Sequence, residues 1–170
     1  MFILFLLCVF GLWLYYSYVS VTKKRDEAYD CFDRVDTELK KRYELITDIM
    51  SSAQSYLSQN QSLTDYISKL KDEVITLGRK PEFMNRRMAL DKELENKSEQ
   101  LIALIKGNSQ LSSDKTIIDA INNYDKISSD ISLAKQDFNT SAKIFRKAVD
   151  VFPSSFMARL NEIKSLDYMK

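Results

Sequence analysis

The stretch from Ala28 to Tyr56, AYDCFDRVDTELKKRYELITDIMSSAQSY, decides the fold. Ala28, Phe32, Val35, Leu39, Ile46, Ile49, Ala53 and Tyr56 occupy the a and d places of a heptad repeat, with Arg42 the one polar residue in the series. An apolar stripe this narrow is not stable alone in water and calls for partner helices, and a seven-residue period predicts a left-handed supercoil.

The remainder of the chain supplies those partners. Leu63, Ile67, Leu70, Val74 and Leu77 resume the heptad after the polar break Ser58 to Ser62. Phe83, Leu90, Leu94, Leu101 and Leu104 continue it after Pro81, and Gly107 with Asn108 is a helix stop. A last helix opens near Ser113 and Asp114, carries Ala120, Tyr124, Ile127, Ile131, Ala134, Phe138, Ser141, Phe145, Ala148 and Phe152 on one seam, and stops at Pro153. Gly78 to Pro81 either kinks the middle helix or reverses the chain. A kink gives three helices of matched length, each roughly 50 to 65 Å, so the pattern favours an up-down-up antiparallel bundle with a kinked second helix.

Upstream of this body, Met1 to Thr22 has no charged side chain. Its apolar core from Phe2 to Val21 would reach roughly 30 Å as a helix, which predicts an uncleaved transmembrane anchor. Trp13, Tyr15, Tyr16 and Tyr18 suit the headgroup region, and Lys23, Lys24 and Arg25 follow at once. The positive-inside rule then places the amino terminus outside and the helical body in the cytoplasm, as a single-pass protein. Residues 1–22 are thus read as anchor, 23–153 as bundle, and 154–170, with Phe156, Met157, Leu160, Ile163 and Leu166, as a short amphipathic tail helix.

Composition narrows the function classes. The 170 residues carry 25 Lys and Arg against 24 Asp and Glu, a balance that gives no reason to expect nucleic acid as a partner. There is no His, so the commonest general base and metal ligand is missing, and two Cys do not make a structural zinc site. Cys8 and Cys31 are too far apart along one helix to be bridged and read as free thiols.

Two segments resemble the LemA family of bacterial membrane proteins. Val35, Asp36, Glu38, Leu39, Lys40, Lys41 and Arg42, followed by Glu44, Leu45, Ile46 and then Tyr56, are similar to that family's first-helix signature. Ile131, Ala134, Lys135, Phe138, Asn139, Ser141, Phe145, Phe152 and Pro153 are similar to its last-helix signature. The resemblance implies long antiparallel helices on a bacterial plasma-membrane anchor and no established enzymatic activity. Thr47, Asp48 and Arg146 depart from the family pattern.

Four residues stand out as structural or interaction candidates. Arg42 at a seam position requires a carboxylate on a facing helix, and Asp130 or Asp137 is within reach of the pattern. If it serves register alone, Arg42→Leu keeps or raises the melting temperature. Asn139 is placed to hydrogen-bond across the bundle, and Phe152 with Pro153 to stop the last helix and plug the bundle end. No catalytic, cofactor-binding or metal-ligating set emerges, and no small-molecule substrate is evident. The expectation is a non-enzymatic scaffold or adaptor whose partners are the bilayer and another membrane protein. The alternatives are a transmembrane sensor relaying a helix shift, or a self-associating coiled-coil homo-oligomer.

Overall fold

The computed structural model describes residues 2–54, 56–78, 83–150 and 169, apart from the side chains of residues 3, 4, 7, 58 and 59. Among these every regular element is helical: α1 Phe2–Ser52, α2 Gln61–Leu77, α3 Met84–Lys106 and α4 Lys115–Asp150, with short 3-10 turns at Leu57–Asn60 and Leu111–Ser113. The all-helical expectation therefore holds. The opening apolar run and the heptad stretch belong to one uninterrupted 51-residue helix.

The middle of the chain departs from the sequence reading. Arg86 Nη2 meets Glu73 Oε1 at 2.6 Å, and Tyr66 donates to Glu93 Oε1 at 2.6 Å. In one helix with a modest kink these pairs would stand roughly 20 and 40 Å apart, so α2 and α3 are instead the arms of an antiparallel hairpin. Gly78 explains why. Its φ of +59° and ψ of −148° end α2 outright, with its N–H returning to the Ile75 carbonyl, in a backbone region closed to residues with a Cβ. The kinked second helix is thus replaced by two separate helices; residues 79–82, including Pro81, lie outside the described set.

Two compact units make up the chain: Met1–Thr37 with Ile131–Met169, and Glu38–Asp130 with Lys170. In the first, Ala28, Phe32 and Val35 of α1 and Ile131, Ala134, Phe138, Ala142 and Phe145 of α4 are buried. Phe32 and Phe138 meet edge to face with centroids 5.9 Å apart, an arrangement that adds to simple area burial.

The second unit holds four helical segments joined by reversals. Lys71 Nζ donates to Thr47 Oγ1 at 3.0 Å across the first reversal, and Lys106 pairs with Asp125 at 3.8 Å across the last. Its core is built from Leu39, Ile46 and Ile49 of α1, Ala53 just beyond it, Ile67, Leu70 and Val74 of α2, Leu94, Leu101 and Ile105 of α3, and Ile117, Ile121 and Tyr124 of α4. Asp114 caps α4 by accepting from the Thr116 N–H at 2.8 Å, as the sequence leads one to expect. Tyr56, assigned to the seam, is exposed.

The expected transmembrane anchor finds no support in the described helices. Among the described residues no helix is long and apolar enough to cross a membrane. The side chains of Ile3, Leu4 and Leu7, within the apolar run, lie outside that set. Phe152, Pro153 and the expected tail helix lie outside the described residues as well.

Candidate functional site

The heptad of α1 carries Arg42 into the interior of the second unit, where the guanidinium is 2% exposed. The fork is filled on two sides. Nη2 donates to Asp91 Oδ1 at 2.7 Å and Nη1 to Glu95 Oε1 at 2.8 Å, both carboxylates lying one turn apart on α3. Tyr43, next to Arg42 on α1, donates its hydroxyl to the same Asp91 oxygen at 2.8 Å. Asp91 is fully buried, whereas the Glu95 side chain keeps about a third of its surface open to solvent.

The partners differ from those expected. Asp130 lies instead on a shallow surface groove of about 450 Å³, where Glu38, Glu44 and Asp48 face Lys41 and Lys126. Asp137 pairs with Arg34 at 3.4 Å in the first unit, an exposed contact of little energetic weight. The sequence identified Arg42 and its need for a carboxylate, and missed Asp91, Glu95 and Tyr43. A signal for Asp91 was present: three residues before Leu94 along the heptad is Asp91 itself.

Electrostatics and burial oppose each other here. Burial alone would lower the Arg42 pKa, but Asp91 and then Glu95 hold it above its ordinary value. Tyr43 is pushed far up by burial first and by the Asp91 charge second, so its phenol stays neutral. Tyr124 of α4 is also raised by burial, while Arg42 pulls the other way. The Tyr124 hydroxyl is buried without a well-formed hydrogen bond among the described residues, and Ser98 beside it donates to the Leu94 carbonyl at 2.7 Å. Arg87, buried one turn before Asp91, reaches back from α3 to the Gly78 carbonyl at 3.2 Å and braces the hairpin end.

Such an arrangement fixes register. Sliding α3 along α1 by one turn would strand a buried guanidinium, a cost of several kcal/mol. Its charges are already committed to one another.

Asn139, the second candidate, sits in the first unit. Its amide makes two bonds to one residue: Nδ2 donates to the Met169 carbonyl at 2.8 Å and Oδ1 accepts the Met169 N–H at 2.8 Å. Met169 is itself buried. Nearby on the same helices, the Cys31 thiol lies 3.4 Å from the Ser141 hydroxyl, and both cysteines are free. Among the described residues no group of three or more His, Cys, Asp or Glu is placed to hold a metal ion. Phe152 and Pro153, the other two candidates, belong to the residues outside the described set. Compared with known proteins, the model of the LemA family matches residues 31–170, and no curated protein matches the chain.

Proposed function

The chain belongs to the LemA family, and from that premise we propose that it is a membrane-held helical scaffold that works by presenting its surface to other membrane proteins rather than by catalysis. One observation carries the reading. Phe2, Phe5, Leu6, Val9, Phe10, Leu12 and Trp13 are all exposed on the opening turns of α1, the densest run of exposed large apolar side chains among the described residues. Exposed apolar patches of this size mark interaction sites with lipid or protein. The segment seats in the bilayer with Tyr15, Tyr16 and Tyr18 at headgroup depth and Lys23, Lys24 and Arg25 against the anionic cytoplasmic face of a bacterial plasma membrane.

The committed charges of the Arg42 cluster support a scaffold. They fix the register of α1 against α3 and so supply rigidity. The test is fractionation of cells expressing the full chain or a chain lacking residues 2–21, followed by crosslinking in native membranes. The full chain is expected in the membrane fraction, crosslinked to another membrane protein, and the shortened chain in the soluble fraction. Recovery of the full chain as a soluble, uncrosslinked protein would sink the reading.

The unbroken course of α1 from Phe2 to Ser52 favours a second reading, a sensor that passes displacement of the seated segment along the helix. A helix-breaking insertion between Ser20 and Thr22 abolishes function in a sensor and spares it in a scaffold.

A further inference from the structure

A groove of about 510 Å³ lies between the end of α1 and the start of α2, inside the second unit and within the size range of small-molecule sites. Its hydroxyls have already spent their protons. Thr47 donates to the Tyr43 carbonyl at 2.8 Å, Ser51 to the Asp48 carbonyl at 2.9 Å and Thr64 to the Gln61 carbonyl at 2.9 Å. A carbonyl only accepts, so each of these oxygens is left with lone pairs alone. Asp65 adds a carboxylate that makes no ion pair among the described residues, and no described residue of the lining is Lys or Arg. What such a wall holds is visible at its edge, where the Lys71 ammonium sits 3.0 Å from Thr47 Oγ1. Met50 and Leu57 supply apolar surface in the same groove. The carboxyl end of α1 and the amino end of α2 both border it, so their opposed dipoles offset each other and selection falls to the side chains.

We propose that this groove binds a small linear aliphatic amine in its ammonium form. An ammonium has three donors and no acceptor, the complement of the oxygens of Ser51, Thr64 and Asp65, and a methylene chain covers Met50 and Leu57. An anion finds no cation on the described wall, and a neutral alcohol brings lone pairs against lone pairs and no charge for Asp65. The site uses none of the exposed apolar residues of the opening turns of α1, and its test does not depend on the scaffold reading.

The probe is putrescine, a four-carbon diamine, titrated calorimetrically into the full chain in a non-ionic detergent. Saturable binding is expected. Butanediol keeps the length and lacks the charge, and the fully N-methylated quaternary analogue keeps the charge and lacks every N–H. Each is expected to bind about tenfold or more weakly, because the charge-assisted hydrogen bonds are lost. Asp65→Asn, at an exposed position, weakens putrescine by a similar factor, whereas Asp119→Asn, an exposed carboxylate outside the groove, leaves it unchanged. Ser51→Ala with Thr64→Val removes two acceptors without altering charge and also weakens it. Absence of saturable binding, full binding of the quaternary analogue, or parental affinity in Asp65→Asn overturns the proposal.

Discussion

Arg42, Asp91 and Tyr43 form a set in which removing one member differs sharply from removing all. Arg42→Leu alone leaves Asp91 buried beside a phenol and without its guanidinium, and loss of one partner of a buried pair costs about 3–5 kcal/mol. The expectation that this substitution keeps or raises the melting temperature therefore fails for the single change. It is restored when Asp91→Leu and Tyr43→Phe accompany it, because a buried ion pair replaced by apolar groups is often neutral or stabilising. Urea denaturation of the single and triple variants separates the cases; equal losses in both would show that the pair is a net source of stability.

Tyr43 also makes stability depend on pH in a definite direction. Its pKa is raised in the folded chain, so above pH about 10 the unfolded chain gives up a proton that the folded chain keeps. The stabilisation is complete below the unfolded pKa and is lost as pH rises past it. Melting temperatures between pH 8 and 11 are expected to fall less steeply for Tyr43→Phe than for the parent, though from a lower start because a bond to Asp91 is gone.

At the scale of elements, the reversal at Gly78 is the informative departure. Matched helix lengths argued for a kink, yet a single glycine at φ +59° overrides that global argument, because the backbone there cannot continue a helix. Nothing lies within 4 Å of the position a Gly78 Cβ would take, so Gly78→Ala costs backbone strain of about 1–3 kcal/mol and no clash. Spin labels replacing Glu73 and Arg86 offer the direct check on the hairpin: contact distances are expected, and a separation near 20 Å would restore the kinked helix.

The stripes of α1 and α4 were legible in the sequence because nearly every seam position is apolar: Ala28, Phe32, Val35, Leu39, Ile46, Ile49 and Ala53 are buried, as are Ile131, Ala134, Phe138 and Phe145. The stripe of α3 was read only in part: Leu94 and Leu101 are buried as expected. Its buried series is Arg87, Asp91, Leu94, Ser98, Leu101 and Ile105, a clean alternation of four and three with polar residues at half its places. Hydropathy alone selected Leu104 and Phe83, which are exposed. A polar residue on one helix seam demands a polar residue on its neighbour, and that demand, starting from Arg42, is the information an apolar search discards. Asn139 was legible as a hydrogen-bonding residue, but a partner thirty residues away that it holds by main-chain atoms leaves no side-chain pattern to read.

For the whole molecule, the near-cancelling charge, +1 overall, decides which force can hold the protein at a bilayer. A protein of this balance has no long-range field to draw it to an anionic surface. The local group Lys23, Lys24 and Arg25 contributes about 1 kcal/mol per residue near such a surface, screened by salt, and Arg25 is already paired with Asp26 at 3.0 Å. By contrast, each large apolar side chain fully withdrawn from water gains about 1.5–3 kcal/mol, and Phe2, Phe5, Leu6, Phe10 and Leu12 are all at least half exposed. Covering what these five residues expose outweighs the three cations by about 1.5- to 3-fold. The full chain is therefore expected to float with vesicles of neutral phosphatidylcholine, to stay bound in molar salt, and to bind only modestly better when anionic lipid is added. Trp13, the one tryptophan of the chain, reports seating through a blue shift of its emission. Phe5→Ser with Phe10→Ser should release the protein while leaving its helical content unchanged, whereas release by salt alone would transfer the attachment from the apolar turns of α1 to the cations beyond them.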